Sequence, residues 1–149
     1  MWKKYRVGFD VWGLIVFLLV MLPTLIWSAF PAPNDILRAE SVTGAVDTVG
    51  SICQALMVCA LCMLIRKDRQ GLRLSKPIAA AVICCVVYFA CWICYYQGMT
   101  NAAVVLGLTL PPCMVFYCFA LERKNGIAMI PIAVFTVCHL VYGVVNFIA

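Results

Sequence analysis

The chain has 149 residues, of which 66% are hydrophobic and only 11% charged. Its mean hydropathy is +1.04, whereas soluble domains run nearer ~45–50% apolar and ~25% charged. An ordinary water-soluble domain is excluded, because a fold of this length still exposes roughly a third of the surface of its unfolded chain. The net charge of +5 comes from short basic blocks between apolar runs, which is where membrane orientation signals sit, and this argues against nucleic acid as a partner.

The first apolar run predicts a helix over residues 9–30, behind the basic start Lys3, Lys4 and Arg6. A signal peptide also begins this way. This run of ~20 residues exceeds the ~7–15 of a signal core and no small-x-small cleavage site follows it, so an uncleaved helix is expected. Asp10 stands at its start, with capping or local pairing to Lys3, Lys4 and Arg6 as its expected role. Pro23 predicts a kink, with a gating hinge as the functional alternative. Pro31 and Pro33 stop the helix. In the polar stretch 31–41, Asn34 is placed to cap a short interfacial helix. Asp35, Arg38 and Glu40 either pair to fold this stretch as a lid or stand solvated.

The second span is expected at residues 44–65 and ends in the basic stretch 66–76. That stretch reads as a retention signal, with contact to anionic lipid headgroups as the alternative. Pro77 suits the first turn of a third span over 77–97. Residues 98–101 form a turn, and a fourth span over 102–121 is interrupted by Pro111 and Pro112. After a second short turn, the fifth span covers 127–148. The expectation is an all-α membrane protein, a bundle of about five transmembrane helices forming one domain over residues 1–149.

Ten basic residues (Lys3, Lys4, Arg6, Arg66, Lys67, Arg69, Arg73, Lys76, Arg123 and Lys124) fall on one side of such a bundle, and only Arg38 falls opposite. This asymmetry predicts the N-terminus inside and the C-terminus outside, in a multi-pass protein of the cell membrane. Trp27, Tyr95 and Tyr96 stand near the outer ends, where interfacial aromatics belong. Helices in lipid pack through small residues, for which Gly50, Ala55, Ala79, Ala80 and Gly143 are the candidates.

Polar side chains in such spans are costly and mark function more often than in water. Asp47, Ser51 and Gln54 follow at i, i+4 and i+7 and share one helix face. His139, Tyr142 and Asn146, at i, i+3 and i+7, likewise share one face of the fifth span. At ~1.5 Å per residue, Gln54, Thr109 and His139 reach about mid-membrane, while Asp47, Tyr142 and Asn146 lie nearer the outer interface. An outward-facing polar pocket would let Asp47 hold a cation and His139 carry a proton or bind a substrate, beside a helix broken at its proline pair. The competing expectation is that these groups only hydrogen-bond helices together.

All ten cysteines fall inside apolar runs, so they read as small packing residues rather than as a disulfide framework. Cys59–Cys62 and Cys91–Cys94 are nevertheless CxxC pairs, a spacing that can support thiol exchange. Cys91 and Cys94 are the candidates for a membrane redox enzyme, but no second pair in a loop would relay electrons. No phosphate loop, zinc-protease motif or nucleophile elbow occurs, so no catalytic residue, metal or cofactor is assigned. Three classes stay open: a small transporter, channel or ligand-binding protein; an accessory protein bound to a larger membrane partner; and a thiol redox enzyme. Lipids are the expected surroundings, and a narrow five-helix pathway makes a homodimer a further option.

The stretch from Asp10-Val11-Trp12-Gly13 through Pro31-Ala32-Pro33-Asn34-Asp35 to Ser41-Val42-Thr43 resembles small, uncharacterised polytopic membrane proteins of bacteria. The resemblance covers the first third of the chain. It implies a bacterial cytoplasmic membrane and brings no activity with it.

Overall fold

A computed structural model describes residues 5–67 and 74–148. Lys3, Lys4, Arg69 and Arg73, which belong to the basic asymmetry, lie outside the described residues. The chain folds into five long helices: α1 (Val11–Ala29), α2 (Gly44–Met63), α3 (Lys76–Tyr96), α4 (Ala102–Glu122) and α5 (Gly126–Phe147). All five are long and apolar enough to span a membrane. Four begin on a side-chain cap, which satisfies an amide the first turn leaves open. Asp10 accepts from Trp12 N–H at 3.1 Å, Ser75 from Ile78 N–H at 3.5 Å, Asn101 from Val104 N–H at 3.0 Å and Asn125 from Ala128 N–H at 3.2 Å.

Two strands form a small ribbon that the apolar pattern does not announce. β1 (Tyr5–Val7) pairs antiparallel with β2 (Leu64–Arg66), Tyr5 opposite Arg66 and Val7 opposite Leu64. The second helix therefore ends at Met63, two residues earlier than expected. The cause is competition for its last carbonyls. Gly8 N–H donates to Met63 O at 3.1 Å and Asp10 N–H to Cys62 O at 2.7 Å. Asn125 Nδ2 donates to Ala60 O at 2.9 Å and Leu64 O at 3.1 Å. The bonds to Cys62 O, Met63 O and Leu64 O satisfy orphan acceptors of the helix end and turn the chain into a strand, while Ala60 O also accepts from Leu64 N–H.

The same end of the bundle gathers the ribbon and the start of α3. Tyr5 Oη donates to Lys124 O at 3.2 Å and accepts from Gly126 N–H at 3.1 Å. Ser75 Oγ donates to Glu122. Asp10 caps α1 as expected, and its carboxylate also pairs with Arg123, 113 residues away, with both side chains buried; Lys3 and Lys4, its other expected partners, lie outside the described residues. The opposite end carries residues 31–43, the turn between α3 and α4 and the end of α5, joined by Asn34 to Gly98 O and by Val42 N–H to Asn146.

Helix α4 is the core element, with 67% of its apolar window buried against 17–28% in the other four. It packs against α3 on one side and α5 on the other, α5 packs against α2, and α1 lies across α2, α4 and α3. Close approach depends on glycine. A Cβ on Gly107 would stand 2.1 Å from Cys91 Sγ of α3, and one on Gly143 would stand 2.7 Å from the Thr109 methyl of α4. Gly50 likewise packs near Cys138, and Ala80 rests against the core. Ala55 and Ala79, expected at helix contacts, are exposed instead. The outer surface is apolar across the middle of the helices, with Leu22, Leu25, Ile52, Leu56, Ile83, Val86, Ile130 and Val137 all exposed.

Helix α4 is also continuous. Pro111 and Pro112 lie inside it without breaking it, contrary to the expected interruption. They still remove the amides that would bond the carbonyls of Gly107 and Leu108.

Candidate functional site

A cavity of about 470 Å³ lies between the helices, and all five contribute to its wall. Helix α2 supplies Asp47, Ser51 and Gln54 as one stripe, as i, i+4, i+7 spacing dictates. Helix α5 supplies His139 and Tyr142, and α4 supplies Thr109. The polar residues of three helices thus meet around one space. Asn146 does not line it. This side chain ties α5 to the start of α2 instead: its Oδ1 accepts from Val42 N–H at 2.8 Å, and its Nδ2 donates to Thr43 Oγ1 at 2.8 Å.

Each polar group has a distinct setting. Asp47 lies in the first turn of α2, and its carboxylate accepts from the hydroxyls of Ser41 and Thr43. It has no ion-pair partner among the described residues. Gln54 turns its amide toward the Met21 sulfur at 3.7 Å. Thr109 spends its hydroxyl hydrogen on its own helix, toward Val105 O at 3.1 Å or Leu106 O at 3.2 Å, and its methyl meets Gly143. Thr109 is therefore as much a packing residue as a wall residue. His139 stacks on Phe135, with centroids 5.1 Å apart and planes at 17°, and on Tyr142 at 6.3 Å and 10°. Spacings of four and three residues put the three rings one above another on α5.

The remaining wall is aromatic and aliphatic, and it comes from residues that carry no polar-stripe signal. Trp27 of α1, Tyr88 and Trp92 of α3, and Phe116 of α4 all line the cavity. Trp27 and Trp92 lie 6.3 Å apart, and Tyr88 and Tyr95 meet Trp92 edge-on. Thr24 joins Tyr88 through their hydroxyls at 3.3 Å.

One end of the cavity is covered by residues 31–41. The expected interfacial helix is a single 3-10 turn, Ile36–Arg38, and it is preceded by Asp35 rather than capped by Asn34. Asp35 fastens it: Trp27 Nε1 and Tyr95 Oη each donate to Oδ1 at 2.8 Å, and Arg38 Nε donates to Oδ2 at 2.8 Å. Burial alone would raise the Asp35 carboxyl, but the bonds from Trp27, Tyr95 and Arg38 and the charge of Arg38 outweigh it and hold it below its ordinary 3.8. Arg38 also lies over the Trp27 ring at 5.0 Å. The expected lid pairing is thus present for Asp35 and Arg38, while Glu40 has no ion-pair partner among the described residues. Leu37 and Ser41 of this segment face the cavity. Tyr95, read as an interfacial aromatic, is fully buried, and Tyr96 donates to Phe30 O at 2.7 Å. These tyrosines fasten the cover. Tyr95 lies 60 residues from Asp35 and Tyr96 66 residues from Phe30, so no local pattern in the sequence announces these bonds.

Cys91 and Cys94 are free thiols on α3, and the Cys91 sulfur is seated against Gly107. That is how a small apolar side chain is used in a helix seam. Among the described residues no group of three or more His, Cys, Asp or Glu side chains is placed to hold a metal ion. No family model matches the chain, and neither the curated proteins nor the solved structures contain a significant match to it.

Proposed function

We propose that this chain is a multi-pass membrane protein that binds a small molecule in its inter-helix cavity, as a transporter, channel or ligand-binding protein. The observation that carries the proposal is convergence: Asp47 and Gln54 of α2 and His139 of α5 line one cavity of about 470 Å³. Small-molecule sites are typically clefts of ~300–1,000 Å³ with apolar walls and a few convergent polar groups. Polar groups that served only to join helices would be consumed by one another, whereas Asp47, Ser51 and Gln54 make no hydrogen bond to His139 or Thr109. Lipid supplies the surroundings. The exposed middle of the bundle is apolar, and only closed backbone hydrogen bonding is tolerated there.

The basic asymmetry orients the bundle with its N-terminus and ribbon toward the cytoplasm and the covered end of the cavity outward. A bacterial cytoplasmic membrane is the setting that the resemblance of the first third implies. The test is a cysteine-free chain carrying single cysteines at positions 47, 51, 54 and 139. An aqueous thiol reagent is expected to label these positions faster than position 86, which faces outward from α3. Equal protection at all four would end the proposal.

A further inference from the structure

We infer that the ligand of this cavity is a lipophilic organic cation, an ammonium head carried on an apolar or aromatic body, with its head on Asp47. The inference deepens the proposed binding role and rests on it. Among the described residues, Asp47 is the only acidic residue in the wall, and no Lys or Arg lines the cavity. Its carboxylate is approached by two neutral hydroxyls and by no protein cation among the described residues. Asp47 is half-buried, so a counter-charge beside it is attracted more strongly than in bulk water. An anionic ligand would meet repulsion from Asp47 and find no Lys or Arg partner among the described residues.

The walls select an organic cation over a metal ion. A hard metal ion needs about six oxygen ligands, and no cluster of three metal-binding side chains exists among the described residues. A weakly hydrated ammonium instead gains from aromatic faces. Tyr142 and Trp92 line the cavity as its aromatic neighbours, with Phe135 and Phe116 extending the apolar wall. Position along the helices sets the ligand's direction. Asp47 lies in the first turn of α2, near Ser41 and Leu37 of the covering loop, while Phe116 lies fourteen residues into α4 from that end. The charged head therefore sits beneath the loop and the apolar body points toward the middle of the bundle. The face of Trp27 toward the loop is already taken by Arg38, so a ligand ammonium is drawn to Asp47 and not to that ring.

The experiment uses the full chain, purified in uncharged detergent micelles, with protein-free micelles as the blank. Retention of radiolabelled benzyltrimethylammonium is measured by equilibrium dialysis, and unlabelled neopentylbenzene, its uncharged carbon isostere, is added as competitor. Saturable retention of the cation is expected, with at least about tenfold weaker competition by the isostere. Asp47→Asn is expected to weaken cation binding by about tenfold or more, and Asp47→Glu to keep most of it. The comparison of the two compounds on the unaltered chain stands even where a variant fails to fold. If the isostere competes as well as the cation itself, or Asp47→Asn binds the cation unchanged, the inference is overturned while the cavity remains a binding site. If the cation shows no saturable retention, the inference is again overturned. Protection of positions 47, 51, 54 and 139 from thiol reagent then separately removes the binding role.

Discussion

Asn125 is where three chain segments are held by one side chain, and its replacement should show it. Its Oδ1 caps α5 through Ala128 N–H, while Nδ2 donates to Ala60 O and Leu64 O at the end of α2. The residue is 2% exposed, so water cannot replace these partners. An N-cap contributes about 1 kcal/mol, and each cross-helix bond adds about 1 kcal/mol net. Asn125→Ala should therefore lower stability by about 3 kcal/mol, given these two values. Asn125→Asp separates the parts. The carboxylate still accepts from Ala128 N–H, but it cannot donate to the two carbonyls, so a loss of about 2 kcal/mol remains. The assay is unfolding of the purified chain in mixed micelles titrated with a denaturing detergent, followed by tryptophan fluorescence. If Asn125→Asp unfolds within about 0.5 kcal/mol of the unaltered chain, the range of an innocuous surface change, the bonds to α2 do not hold the bundle as argued.

Two further perturbations probe the seam and the cover. Gly107→Ala forces a Cβ onto Cys91 Sγ and should destabilise by about 1–3 kcal/mol through overpacking, while the double variant with Cys91→Ala should recover most of that loss in the same titration. An unaffected Gly107→Ala would mean that α3 and α4 do not meet as closely as described. Asp35 has a folded-state pKa below its ordinary value, so its contribution is fully present above about 3.8 and is lost as pH falls through the lower folded value. The unaltered chain should therefore be more stable than Asp35→Asn at neutral pH, and the gap should close on acidification below about 3.8. A gap that stays constant with pH would show that Asp35 is not the fastening.

Much of the architecture was legible because its determinants are local. Apolar runs punctuated by Pro31, Pro77, Gly98 and Asn125 set the five helices and, within a residue or two, most of their ends. The stripe Asp47, Ser51 and Gln54 followed from a period of 3.6 residues, and so did His139 with Tyr142. Where another segment intervened, local reasoning failed. The amides of Gly8 and Asp10 ended α2 early and made a ribbon, and Arg123, 113 residues away, pairs with the carboxylate of Asp10.

The sequence by itself determined that five apolar helices form and which residues share a face on each. Only the tertiary structure decided which faces turn inward, so that the α2 stripe, His139 with Tyr142, Thr109, Trp92 and Tyr88 share one cavity while Asn146 stays outside its wall. The physical reason is that the usual cue is missing. In water an apolar face points to the core and a polar face to solvent. Here the exposed surface is as apolar as the interior, as exposed Ile83 and buried Ile132 illustrate, so burial of each face is set by shape, at Gly107 and Gly143 above all, rather than by hydropathy.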